Sequence, residues 1–566
     1  MLVTPSKAAN SRAALIVILV LYVIVYARTV PEKTGDTPVY ADDILRYFQG
    51  GSGIGPSVIW EFGHLLWRPA GYVLWLSTRS FLSSWSGGNG IIEITAVLFA
   101  INFAAGLALV LLTFAVCSWL GVGRKAALLI AVAVMLCSSI LNYFHSGASY
   151  NPGLAAHMAG ILFILESFIA RRRARVYAAL GGACLSLSCA VWFPYVLSIP
   201  AALLMAWFAA ARVAPGDRMR LLSIAILSAA FSGLVLFGLG AAAGHISSYS
   251  ALMHWISNSS HGVQQNRQLI RFPAGFTRSF LYLGDDGLLI KRFVFGDPYA
   301  PVLWYSLLGA SLWKVCLVFA TFGVLVWSLA RYRESWPALA VVIVGCVPTL
   351  LFALELFETS EPARYEPLYP ALIVGVCSAL LLKNSRAVLP LLTVFLIAMA
   401  VVNLKAYAWD LRGVASASSA RARLVEAHTR HGGVAFLLSF RDPLSTYVQS
   451  SPFVAENRQH ALPLFHVIEP GARHIAIWRQ ESACRVLDAW KAGGDAWLST
   501  RLMANVPLPE WNWAEHDDNR IHWVDLPAFF TRLDTDDRLG AGDGFLRVAR
   551  TGKNQAFLEA ACGAVQ

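Results

Sequence analysis

The stretch Ile91–Trp119, IIEITAVLFAINFAAGLALVLLTFAVCSW, decides the architecture. Its one charged residue, Glu93, stands near the start. The apolar run behind it exceeds the ~20 residues with which an α-helix crosses a ~30 Å hydrocarbon core. Similar blocks lie near 13–27, 126–143, 153–170, 176–191, 195–211, 221–242, 302–330, 336–357, 367–382 and 388–405. The segment 176–211 reads either as two spans or as one long broken helix. The fold class expected is a polytopic α-helical membrane protein of about eleven spans, with a soluble α/β domain at the C-terminus.

The composition agrees. The chain of 566 residues is 57% hydrophobic and 14% charged, with a mean hydropathy of +0.56, against about 25% charged in an average soluble domain. The net charge of +11 does not mark a nucleic-acid binder. Its basic residues form short clusters between apolar blocks: Arg124-Lys125, Arg171 to Arg175, Arg212 to Arg220, Arg331 with Arg333, and Lys383 with Arg386. No basic-aromatic stripe of nucleic-acid type accompanies them. Placed on the cytoplasmic side, all of these clusters give one consistent path. The N-terminus is then cytoplasmic, with 13–27 read as an uncleaved signal anchor in preference to a cleaved signal. The C-terminal domain is exported, into the periplasm if the membrane is a bacterial inner membrane.

Two domains are expected: 1–405 in the membrane, with exported loops 28–90 and 243–300, and 406–566 outside it. Segment 57–80, rich in tryptophan, reads as an interfacial helix broken near Pro69. Beyond 406, β-prone runs at Gly433–Leu438 and His474–Trp478 and a helical stretch at Cys484–Lys491 point to a small α/β domain. Of nine cysteines, seven fall inside apolar blocks. Cys484 and Cys562 do not, and the exported compartment makes a disulfide between them the expectation.

The chemistry-bearing residues collect in the exported loops. Asp42 and Asp43 follow the first span, where adjacent carboxylates serve to deprotonate a hydroxyl or to bind a cation. Taken alone, complementation of a helix N-terminus is the plainer account of the pair. His64 and Arg68-Pro69 come later in the same loop, and Arg364-Tyr365 opens the tenth span. An arginine there either clamps a phosphate or, at Arg68, snorkels to headgroups; at Arg364 the plainer reading is a salt bridge to Glu358, Glu361 or Glu366. The run Trp511 to Asp525, with His516 and His522, matches no standard metal spacing and reads as polar surface. Gly240-Ala-Ala-Ala-Gly244 reads as a helix-packing seam.

Taken in order, these elements resemble the GT-C glycosyltransferases, and among them the protein O-mannosyltransferase-like bacterial branch. The resemblance covers roughly 30–405 in layout. It consists of the acidic pair Asp42-Asp43, the Arg68-Pro69 element, the exported loop His145 to Pro152 before a span ending in a basic cluster, and Arg364-Tyr365 with Pro370. The tail matches no glycosyltransferase domain. The resemblance implies an inverting transfer of a sugar from a polyprenyl-phosphate donor to a glycan, lipid or protein acceptor at the outer face of the bilayer. It places the general base at Asp43 or Asp42 and the donor phosphate at Arg68, Arg364 and Tyr365. The substrate cavity falls to His64, His145, Arg267 and Arg271. The commonest pattern has Asp-Glu where this chain has Asp-Asp, which leaves open which carboxylate is the base and whether one binds a divalent metal. Asp43 is the choice, because its helical spacing to Tyr47 puts both on one face.

The rival reading is a transporter or flippase of a lipid-linked or anionic substrate. Transporters place ionisable residues at mid-membrane, whereas here the polar residues concentrate in exported loops. A non-catalytic scaffold presenting the tail leaves the acidic and arginine elements without a purpose. The topology has a direct check. Alkaline phosphatase fused after residue 410 should be active, and fusions after Arg175 or Arg333 silent; an inactive fusion after residue 410 would overturn the assignment.

Overall fold

A computed structural model of the chain describes residues 12–32, 36–50, 55–170, 172–257, 259, 271–284, 286–294, 301–355, 361–381, 388–429, 432–438, 442–450, 464–468, 475–503 and 528–563. It divides into two compact units, one of residues 1–283 with 310–409, the other of 284–309 with 410–566. Segment 284–309, expected to belong mostly to the second exported loop of the membrane domain, thus groups with the C-terminal residues.

The first unit is helical, and the protein is an integral membrane protein. Among the described residues seven helices are long and apolar enough to span: Gly90–Trp119, Ala174–Val191, Phe193–Val213, Arg218–Ala243, Trp304–Arg331, Arg333–Glu355 and Val388–His428. An eighth is the pair Arg124–Leu136 and Ser138–Phe144, bent by 65°. Helices Arg12–Arg28, Tyr150–Ser167 and Tyr369–Leu381 occupy the other expected places but are shorter or less apolar. The segment 176–211 forms two helices joined by a 3-10 turn at Phe193–Ser198. Leu227, Phe231 and Leu234 lie more than two-thirds exposed along Arg218–Ala243. A helix that shows apolar side chains outward is solvated by lipid.

The bend at Cys137 frees backbone groups that lipid cannot satisfy. Asn403, wholly buried, answers for them. Its Nδ2 donates to Leu136 O at 2.6 Å and Phe280 O at 2.7 Å, and its Oδ1 accepts from Tyr282 N at 2.8 Å. One amide therefore ties three interrupted segments together. The expected helix break near Pro69 lies earlier. Helix Trp67–Ser86 runs through Pro69, which sits in the first turn, where a missing N–H costs no intrahelical bond.

Helices pack most closely at small residues. A Cβ on Gly182 would stand 2.0 Å from the Ala225 carbonyl oxygen, and Gly160 and Gly181 meet each other's carbonyls at about 3 Å. Helices Tyr150–Ser167, Ala174–Val191 and Arg218–Ala243 thus touch backbone to backbone. The expected helix-packing seam at Gly240 is corrected: the space beside it holds the side chain of Leu65, which precedes helix Trp67–Ser86.

The second unit contains a five-stranded sheet in the order β2-β1-β3-β5-β4, with β1 (Val434–Leu438), β2 (Phe465–Ile468), β3 (Ala496–Ser499), β4 (Thr535–Leu539) and β5 (Phe545–Val548). Strands β1, β2 and β3 run parallel, while β5 is antiparallel to β3 and β4. Every residue of β1 is buried: Val434, Phe436 and Leu438 face one apolar cluster, Ala435 and Leu437 the other. That is the pattern of a strand covered on both sides. The β-prone run 474–478 is instead the start of helix Ile475–Lys491, whose length and cross-link outweigh local propensity. Cys484 of this helix is joined by a disulfide to Cys562 of helix Gly552–Gly563, with Cα atoms 5.0 Å apart.

The glycine contacts give a paired prediction. Gly182→Val should cost about 3 kcal/mol or more by overpacking, seen as loss of monodisperse protein in detergent. Gly238→Ala, on Arg218–Ala243 with open space around it, should leave the melting temperature unchanged or raised. Equal tolerance of both would contradict the backbone contact.

Candidate active site

The site begins with helix Thr37–Phe48, which Asp36 precedes and Pro38 helps to start. Its buried face is Thr37, Tyr40, Ala41, Ile44 and Leu45. The adjacent carboxylates therefore diverge. Asp42 turns outward, about half exposed, and pairs with Arg46 at 3.5 Å. Asp43 sits at the edge of the buried face and meets Arg68, its Oδ2 3.0 Å from Nε. Tyr47 packs edge-on to Tyr72 at 5.6 Å.

Arg68 comes from the first turn of Trp67–Ser86 and is 4% exposed. A second nitrogen, Nη1, pairs with Glu61, and the guanidinium lies 4.7 Å from the Tyr40 ring centroid. A buried guanidinium is stable only with partners of this kind. The carboxylates keep it firmly protonated against the opposing effect of burial. The place between Asp43 and Glu61, where a divalent cation would bridge them, is filled by this arginine. Among the described residues no three His, Cys, Asp or Glu side chains converge as metal ligands. At this place the described side chains do not fit a metal.

Asp36 and His64 continue the cluster inward. Tyr40 OH donates to Asp36 Oδ2 at 3.3 Å and lies 3.2 Å from His64 Nε2, while His64 Nδ1 is 2.7 Å from Ser149 Oγ. Burial pushes the imidazole down to about 3, so His64 is neutral and passes hydrogen bonds rather than carrying charge. Burial likewise raises the Asp36 carboxyl above its ordinary range, with Arg364 opposing and Glu361 and Glu61 reinforcing. Asp43 is raised too, first by burial, with Arg68 opposing.

Arg364 arrives from the far end of the sequence on the 3-10 turn Pro362–Leu368. It is 5% exposed, and its guanidinium carbon stands 5.7 Å from the ring centroids of both Tyr150 and Trp192. Because Arg364 acts on Asp36 and on His64, which also feels Arg68, the two arginines flank one polar cluster. Among the residues singled out in the sequence, Asp43, His64, Arg68 and Arg364 come together. Asp42 does not. Tyr365 is wholly buried against Phe272 and Phe276 and anchors its turn in apolar surroundings. His145 stands apart, its Nε2 2.8 Å from Thr29 Oγ1 and its ring 4.2 Å from Tyr26, and burial lowers it to about 4. Arg271 caps helix Phe272–Phe280. Arg267 and the run Trp511 to Asp525 lie outside the described residues.

Asp36, Tyr40, Glu61, Ser149 and Trp192 escaped the sequence reading. The i,i+4 spacing of Asp36 and Tyr40 was a usable signal, because it puts both on one helical face. No local signal connects Ser149 or Trp192 to the first loop.

No family model matches the chain, and no curated protein matches it. Similar solved structures include ArnT from Cupriavidus metallidurans bound to undecaprenyl phosphate, with 12% identity, 97% of this chain and 99% of that chain covered, and a TM-score of 0.47. They also include the oligosaccharyltransferase AglB from Archaeoglobus fulgidus with an inhibitory peptide and a dolichol-phosphate, with 11% identity, 96% and 75% covered, and a TM-score of 0.41. The Archaeoglobus oligosaccharyltransferase with Zn and sulfate is similar at 13% identity, 94% and 73% covered, and a TM-score of 0.43.

Proposed function

We propose that this chain is a membrane glycosyltransferase that moves a sugar from a polyprenyl-phosphate donor to an acceptor hydroxyl at the outer face of the membrane. The observation that carries the reading is a half-buried carboxylate, Asp36, which accepts from Tyr40 OH and feels the buried Arg364, while the buried Arg68 lies over the same Tyr40 ring. A carboxylate so placed takes a proton; the arginines hold the charge of a departing phosphate.

In this reading the acceptor O–H loses its proton to the Asp36 carboxylate as its oxygen attacks the anomeric carbon. The bond from that carbon to the phosphate oxygen breaks, and its electron pair leaves with the polyprenyl phosphate. Attack opposite the leaving group inverts the anomeric configuration. Arg364 and Arg68 meet the phosphate, each able to offer paired N–H donors. Asp36 is taken as the base for its place beside the Tyr40 hydroxyl, which also reaches His64, while Asp43, 3.0 Å from Arg68, orients that guanidinium together with Glu61. Burial raises the carboxyls of Asp36 and Asp43 alike, so both become better bases than a free carboxylate once ionised.

Activity should rise with pH as Asp36 ionises, at a pH above the ordinary carboxylate range, since burial favours the protonated form. Asp36→Asn keeps shape and removes basicity, so transfer should fall about 10²-fold or more while polyprenyl-phosphate binding persists. Asp43→Asn should lower donor affinity together with rate. If only Asp43→Asn abolishes transfer with binding intact, the base is Asp43, as the sequence alone had it. If both variants keep full activity, the glycosyltransferase reading fails. Arg364→Ala should weaken donor binding by about tenfold to a hundredfold, the worth of a charge-assisted hydrogen bond.

A further inference from the structure

The turn that carries Arg364 also carries a carboxyl that this chemistry does not use. Glu366 is wholly buried. Ser139 Oγ donates to its Oε1, and Tyr195 OH lies 3.1 Å from its Oε2. The same phenol is 2.9 Å from the Tyr150 carbonyl oxygen. A phenol has one proton to give. With Glu366 ionised, that proton is drawn to the carboxylate, and the Tyr150 carbonyl loses it. With Glu366 neutral, its own O–H donates to the Tyr195 oxygen, and the phenol proton serves Tyr150. Only the neutral acid lets a single chain of donors run from Ser139 through Glu366 and Tyr195 to Tyr150.

That chain ends beneath Arg364. The Tyr150 and Trp192 rings stand 4.8 Å apart, Trp192 and Tyr195 5.2 Å apart, and the Arg364 guanidinium lies over the first two. The fit is shaped by Gly153, where a Cβ would come within 2.5 Å of the Tyr195 ring. Burial pushes the Glu366 carboxyl up to about 8. The ionisable groups in its field are Glu361 and Arg364 on its own turn, with Tyr150, Tyr195, Tyr369 and Cys137 from the segments around it. His157 stacks on Tyr195 at 5.8 Å and is hydrogen-bonded to Ser188 and Ser198.

We propose that Glu366 is a positioning residue: as a neutral acid it closes the chain Ser139–Glu366–Tyr195–Tyr150, seats the aromatic pair on which Arg364 rests, and so sets the affinity for the lipid phosphate. The inference rests on the reading of Arg364 as a donor-phosphate ligand.

The test is equilibrium binding of undecaprenyl phosphate to the full chain in detergent, at about pH 7 and about pH 9, with melting temperatures measured alongside. Wild-type affinity should weaken by about fivefold to tenfold at the higher pH, as the neutral form is lost. Glu366→Gln, which accepts and donates without titrating, should keep the lower-pH affinity at both values; comparison at equal pH cancels the titration of the ligand itself. Tyr195→Phe cuts the chain without removing the ring and should weaken binding about tenfold at both pH values, with an unchanged melting temperature. Glu366→Gln binding as poorly as Tyr195→Phe overturns the proposal. So does wild-type affinity equal to that of Glu366→Gln at the higher pH. All three binding alike removes the role of Glu366 and leaves the donor reading standing. A wild-type chain that binds no undecaprenyl phosphate overturns both.

Discussion

The first long loop of this protein is organised by one buried ion pair network, Arg68 between Asp43 and Glu61. A guanidinium taken out of water costs several kcal/mol unless charge and hydrogen bonds replace its hydration. Here the replacements come from two places: helix Thr37–Phe48, with Asp43 and the face of Tyr40, and Glu61 just before the 3-10 turn at Phe62. Satisfying one cation therefore fixes the relative position of Tyr40, Asp43, Glu61 and Arg68. The closeness of Tyr40 to Asp36 and His64 follows from that fixed frame.

The bilayer imposes the complementary constraint. Lipid cannot hydrogen-bond backbone, so helices stay regular where they face it and break only where the protein supplies partners. The bend at Cys137 is answered by Asn403, and the turn before helix Ile199–Val213 is bonded through Ser198, Tyr195 and their neighbours. These breaks coincide with the polar cluster. Irregular backbone is what brings Ser139, Tyr195 and Arg364 to one level, since a straight helix would hold such residues on a single stripe.

Charge and neutrality divide the work within the cluster. The same burial that keeps Arg68 and Arg364 away from water drives His64 neutral and lifts Asp36 and Glu366. A site built to receive a phosphate gains from this, because its cations remain while its acids lose part of their negative charge. The second unit obeys different physics. The side chains of β1 enter apolar clusters on both faces of its sheet, and a disulfide joins two of its helices.

Much of this was legible in residue order alone. Apolar runs near the length of a bilayer crossing can do little but span it, so the helices at Ile91–Trp119 and its counterparts were determined by the sequence. So were the placement of polar chemistry in the connecting loops and the pairing of Cys484 with Cys562, the two cysteines left outside apolar blocks. A helix boundary was not: Pro69 seemed to break a helix that in fact begins two residues before it, because a proline is harmless in a first turn. The carboxylate proposed as the base does not stand out in the sequence either. Asp42 and Asp43 are adjacent, but a helix turns about 100° per residue, so one faces water and the other Arg68, and the deeper group is Asp36. That Glu366, Tyr195 and Ser139 share protons, and that Arg364 lies over Tyr150 and Trp192, depends on segments more than 150 residues apart meeting in space. Hydrophobic length is a local property and is written locally; the partners of a buried polar atom are chosen by whichever chain segment packs beside it, and only the tertiary structure decides that.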